Sequence, residues 1–96
     1  DMFREMDFLW KVTMGIKKKR IDPKNILKMA TVNGGKILKK DIGIIQNKKI
    51  ADCIFLDKHA LDLEPMHNPY ASIVHRASES TIKAVMIEGK IVHGKI

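Results

Sequence analysis

Around Lys39 the apolar residues change their spacing, and that change limits what these 96 residues can fold into. Before it, Met2, Phe3, Met6, Leu9, Trp10 and Met14 recur at the three- and four-residue intervals of one helical face, which predicts a helix over 2–19. After it come short runs rich in isoleucine. "IGII" at 42–45, "ADCIFLD" at 51–57, "IKAVMIE" at 82–88 and "KIVHG" at 90–94 predict strands. The chain therefore reads as α+β, helices first and sheet after.

Punctuation residues refine this outline. Gly15 weakens the last turn of the first helix, and Ile21-Asp22-Pro23 restarts helical structure, with Asp22 as cap and Pro23 at the first helical position. Ile26, Leu27, Met29 and Ala30 carry that second helix to about Val32. Asn33-Gly34-Gly35 then reads as a breaker before a short turn through Ile37 and Leu38. Ala71 to Ala77 predicts a short helix with Ile73 and Val74 facing inward. Glu88-Gly89 is a tight hairpin turn between the last two strands. In "IKAVMI", Ile82, Ala84 and Met86 point to one side and Val85 and Ile87 to the other, so both faces of that strand want cover. A chain this short has little with which to cover both.

Composition excludes several classes. An apolar content of 45%, with no repeat or low-complexity tract, marks an ordered domain, one at most at this length. The longest apolar runs, such as "AVMI" and "CIFL", fall far short of the roughly 20 residues that span a bilayer, so no membrane is expected. A single cysteine, Cys53, precludes an intramolecular disulfide and a thiolate zinc cluster; it fits a reducing, cytoplasmic setting. The net charge of +7 permits attraction to phosphates. Its densest run, "KKKR" at 17–20, follows the apolar positions of the first helix and reads as that helix's solvated end, complementing the macrodipole. Nucleic acid is not the expected partner, because the other lysines are scattered and the aromatics do not interleave with them. Asp1 is no initiator methionine and reads as an N-cap, so the expectation is a chain that begins inside a longer one.

Residues able to carry chemistry concentrate in "PMHNPYASIVHR", Pro65 to Arg76. His59, His67, His75 and His93 never show the one-turn spacing of a helical metal pair, and Pro65 and Pro69 bar one helix from carrying the evenly spaced three. Asp57, Asp62 and Glu64 are lone carboxylates. Ser72, Ser78 and Ser80 have no glycine-framed elbow, and Cys53 lies in an apolar run with no cation to activate it. Neither a GxGxxG nor a P-loop occurs. No catalytic, cofactor-binding or metal-ligating residue is predicted.

Taken in order, "ILKMATVNGGKIL", "DIGIIQNKKIADCIFLD", "PMHNPYASIVHRA" and "IKAVMIEGKIV" resemble successive blocks at the carboxyl end of the amidohydrolase superfamily. The likeness is to the branch holding 5-methylthioadenosine / S-adenosylhomocysteine deaminases and triazine chlorohydrolases. Ala30-Thr31, Asn33-Gly34, Gly43, Lys48 or Lys49, Ala51-Asp52, Asp57, His67-Asn68-Pro69, Val74 and Gly89-Lys90 occupy the family's places in order, across nearly the whole chain. Ile44 replaces a usual serine, Asn47 a usual glycine and Cys53 a common leucine.

The resemblance implies the closing helices of a (β/α)8 barrel over residues 1–38 and the carboxyl-terminal half of a small β-sandwich over 39–96. It implies a parent enzyme in which a divalent metal, zinc or iron, activates water to deaminate an adenosine-type nucleoside. A chlorohydrolase or a guanine- or triazine-type aminohydrolase is the alternative. Every metal ligand would precede residue 1, so this part would be scaffold and inactive alone. Its partners would be the upstream part of its own chain and, through the uncovered sheet, further copies of itself. A small basic nucleic-acid-binding or self-associating module is the reading from another class.

Overall fold

Asp1 opens the first helix, its carboxylate accepting the Phe3 N–H at 2.9 Å. The structure is a computed structural model and describes residues 1–16, 21–60 and 68–96. Helix α1 runs Met2–Ile16; the "KKKR" run lies outside the described residues. Asp22 caps α2 (Pro23–Ala30) through its side chain to Lys24 N–H at 3.0 Å, with Pro23 in the first turn as its fixed φ favours. Strands β1 (Cys53–Leu56), β2 (Ile82–Ile87) and β3 (Lys90–Gly94) fall inside the runs that predicted them, α4 (Pro69–Arg76) starts two residues before the expected Ala71, and α3 (Val32–Leu38) completes the set.

Two expectations are corrected. The second helix breaks at Thr31, not at the glycines, and Asn33-Gly34-Gly35 lies inside α3. Gly35 is placed there for contact: a Cβ on it would collide with the Ile42 carbonyl oxygen, while one on Gly34 would meet nothing within 4 Å. The second correction concerns "IGII", which is an irregular loop and not a strand. Gly43 takes φ +89, and a Cβ there would strike the Thr31 carbonyl. The loop is thus pressed against the α2–α3 junction by its backbone, which leaves no strand ladder open to it. Ile50 N–H closes it by donating to Asp41 C=O at 2.7 Å.

The three strands form one antiparallel sheet in the order β1-β2-β3. Ile54 lies opposite Val85 and Val85 opposite His93, so these three share a face with Ile87 and Lys90; Cys53, Phe55, Ala84, Met86 and Ile91 form the other. Glu88 (φ 50) and Gly89 (φ 80) both lie in the left-handed region, as a two-residue hairpin turn of the mirror-image type requires.

Apart from the sheet, α1, α2 and α4 pack together. Met6, Ile26 and Val74, one from each helix, form the buried centre, ringed by Phe3, Leu9, Trp10, Leu27 and Ile73. Lys24 lies 5.6 Å from the Tyr70 ring centre, joining the starts of α2 and α4. This core is small, and much apolar surface stays outside it. Phe8 is 66% exposed, Met2 58%, Ile54 47% and Ile87 50%. The chain presents 7509 Å² to solvent, whereas a self-sufficient monomer of its mass exposes about 5,600 Å².

Candidate functional site

The described residues bring one cluster of titratable side chains together, where α4 crosses α1. His75 is held at Nδ1, 3.1 Å from Asp7 Oδ1, and Lys11 reaches Asp7 Oδ2 at 2.8 Å from one turn further along α1. The Trp10 ring meets the imidazole edge-on, with centroids 4.5 Å apart and planes at 75°. The bond from Lys11, opposed by burial and helped by His75, holds the Asp7 carboxyl below the usual aspartate range. The sequence showed the i,i+4 spacing of Asp7 and Lys11. It held no sign of His75, which is 68 positions away.

Chemically the cluster is a brace. Both Asp7 oxygens are engaged, Oδ2 by Lys11 and Oδ1 by an imidazole that also meets the Trp10 ring edge-on. Ser72, one turn earlier on α4, is buried at 4% exposure and shut off from any substrate. The remaining candidates are dispersed. His59 follows β1 on an exposed turn, where its N–H donates to Asp57 Oδ1 at 2.9 Å. His93 is exposed on β3. Cys53 is half-buried on β1, its Sγ 3.9 Å from the Met86 sulfur on β2. Ser78 and Ser80 bond each other at 2.8 Å ahead of β2. Asp62, Glu64, Pro65 and His67 lie outside the described residues. Among the described residues, no three His, Cys, Asp or Glu side chains converge to hold a metal ion.

The blocks that looked like motifs are explained by backbone geometry. Asn68 caps α4 by accepting from Tyr70 N–H (3.0 Å) and Ala71 N–H (3.3 Å), with Pro69 in the first turn. Asp52 accepts the Glu88 N–H at 2.8 Å, and Gly89 N–H donates to Ala51 C=O at 2.9 Å, so the residues before β1 clasp the β2–β3 turn. In the turn Gln46-Asn47-Lys48-Lys49 the positive φ, 67, falls on Lys48.

Side chains spent on caps, clasps and helix contacts define a scaffold in which helices and sheet are mixed. The profile of the Amidohydrolase family matches residues 1–92, and this chain belongs to that family. Several of the relatives it matches are deaminases by name. It is 34% identical over 99 residues to 5-methylthioadenosine/S-adenosylhomocysteine deaminase 1 of Syntrophus aciditrophicus, a match covering 96% of this chain and 22% of that protein. It is 38% identical over 88 residues to the 5'-deoxyadenosine deaminase of Methanopyrus kandleri, covering 83% of this chain and 20% of that one. Among solved structures, a zinc-bound adenosine deaminase from Xanthomonas campestris superposes with a TM-score of 0.88 at 27% identity, across 95% of this chain and 22% of that chain. The chain thus spans about a fifth of the length of the relatives it matches. Among its described residues no helix is long and apolar enough to cross a membrane.

Proposed function

We propose that this chain is the carboxyl-terminal part of a metal-dependent aminohydrolase that converts an adenosine-type nucleoside to its inosine form and ammonia. The substrate class is 5-methylthioadenosine, S-adenosylhomocysteine or 5'-deoxyadenosine. The observation that carries the reading is the pairing of a match over 96% of this chain with only 22% of a relative named for that reaction. A chlorohydrolase or a guanine- or triazine-type aminohydrolase is the alternative within the same family.

In this reading residues 1–38 close a (β/α)8 barrel and residues 39–96 supply half of a β-sandwich, with α4 reaching back to pack on α1 and α2. The divalent metal, zinc or iron, is held by residues upstream of this chain. What this chain's residues do is position: Asp7 and His75 brace α4 on α1, and Asp52 clasps the hairpin. The upstream part of the same protein is the partner that covers the excess apolar surface. A chain separated from that part self-associates through its uncovered apolar sheet.

The test is an ammonia-release assay on the full product of the gene that encodes this chain, run with the three nucleosides, beside the 96-residue chain alone. The full product turns over at least one of them; the short chain shows no turnover and takes up no stoichiometric zinc or iron. One equivalent of metal on the short chain, or a coding sequence with no His-x-His upstream, overturns the reading.

A further inference from the structure

We propose that Asn33-Gly34, at the start of α3, is a self-modification site at which the Gly34 nitrogen closes on the Asn33 side chain and converts it to isoaspartate and aspartate. The Gly34 amide gives its proton to base and attacks Asn33 Cγ. The new N–Cγ bond forms, the bond from Cγ to the side-chain nitrogen breaks, and that nitrogen takes up a proton and leaves as ammonia. Water then opens the five-membered imide at either carbonyl. One opening gives aspartate; the other gives isoaspartate, whose main chain runs through the former side-chain carbon. The net exchange is NH for O, and it lowers the charge of +7 by one. The reaction uses only this chain's backbone and water, so it is independent of which nucleoside the parent enzyme takes.

A side chain on the following residue crowds the attacking nitrogen, and of Asn25, Asn33, Asn47 and Asn68 only Asn33 is followed by glycine. The space around Gly34 is open, since even a Cβ there would meet nothing within 4 Å. The first bond along the α3 backbone runs from Gly35 N–H to Thr31 C=O at 3.2 Å, so the Gly34 nitrogen lies ahead of the hydrogen-bonded turns. Asn33 is exposed, and its amide makes no hydrogen bond among the described residues. A helical backbone holds nitrogen and Cγ out of line, so the ring closes when the first turn of α3 opens. That turn is lightly held. Thr31 stands at the N-cap but donates its hydroxyl to Leu27 C=O at 2.8 Å, which leaves α3 without a side-chain cap. The helix has only seven residues, and its two glycines lower its propensity, so opening it locally costs far less than unfolding the chain. The other asparagines lack this combination. Asn25 precedes the buried Ile26, whose N–H is bonded to Asp22 C=O; Asn47 precedes Lys48; Asn68 precedes Pro69, which has no N–H. Isoaspartate at position 33 breaks α3 beside Gly35, whose backbone lies against the Ile42 carbonyl.

The full product of the gene that encodes this chain, aged at neutral and at mildly alkaline pH, tests this by mass spectrometry of its tryptic peptide 29–36. Asn33 converts roughly 10-fold faster than Asn25 or Asn47, and faster as the pH rises, with isoaspartate the larger product. Gly34→Ala, which the open space accommodates, slows the conversion roughly 10-fold. Unfolding in urea speeds it by no more than roughly 100-fold, because the native turn already opens. Conversion no faster at Asn33 than at Asn25, aspartate without isoaspartate, or an Asn33 still intact in the folded protein after the urea-unfolded chain has converted would each overturn the proposal.

Discussion

Adjacent glycines in α3 should respond in opposite directions to the same substitution. Glycine inside a helix costs about 0.5–1 kcal/mol relative to alanine, because the unfolded chain has more freedom to lose. At Gly34 a Cβ meets nothing within 4 Å, so Gly34→Ala should gain about that amount. For a domain of this size it raises the melting temperature by roughly 3–6 °C. At Gly35 the same Cβ runs into the Ile42 carbonyl, a backbone atom that moves only if the 41–45 loop lifts away from the helix. Forcing atoms into a packed contact costs about 1–3 kcal/mol. Gly35→Ala should therefore lose about 1–2 kcal/mol net once the gain in helix propensity is counted, or roughly 5–10 °C. Urea unfolding followed by circular dichroism at 222 nm reads both midpoints. If Gly35→Ala were as stabilising as Gly34→Ala, the close approach between α3 and the loop would be wrong. The loss of "IGII" as a strand would then need another cause.

Further outcomes follow from single bonds. Asn68→Ala removes the acceptor for Tyr70 and Ala71 N–H and should cost about 1 kcal/mol, while Asn68→Asp should keep most of it, as urea midpoints will show. Lys48→Gly should stabilise by about 0.5–1 kcal/mol because Lys48 alone in its turn has positive φ; Asn47→Gly should give no gain, and the reverse order would refute the placement. Asp7 has its pKa lowered in the folded state by Lys11 first and His75 after it, so its charge stabilises the fold. That contribution is complete above the ordinary aspartate value of about 3.9 and disappears as the pH falls through the lower folded value. Asp7→Asn should be less stable than wild type at pH 7, and the two melting curves should converge in acid; a constant gap down to pH 2 would contradict the assignment.

Much of the fold was legible in short segments, for a local reason. Asp22-Pro23 starts α2 because cap and constrained φ act within three residues; Asn68-Pro69 starts α4 in the same way, two residues before the expected Ala71. Glu88-Gly89 turns a hairpin because two left-handed residues suffice. The errors came where a distant group decides. Gly34-Gly35 looks like a helix breaker until Ile42 is known to lie against it, and an isoleucine-rich run looks like a strand until its backbone is found pressed on Thr31. The brace of Asp7 and His75 was invisible because contacts across 68 positions leave no spacing to read.

By itself, the sequence determined the family and, apart from α3 and the "IGII" loop, the order of helices and strands, since four blocks in the right succession record ancestry and each element's propensity is local. It also determined that both faces of β2 need cover, because alternation along a strand sends side chains to two sides. Only the tertiary structure decided which residues are spent on holding the scaffold. It turned "NPYASIVHR", the described part of a stretch rich in catalytic residue types, into a capped helix whose Val74 completes the core and whose His75 leans on Asp7 and Trp10. The physical reason is that burial and hydrogen bonding are properties of neighbours in space, and those neighbours come from helices at opposite ends of the chain.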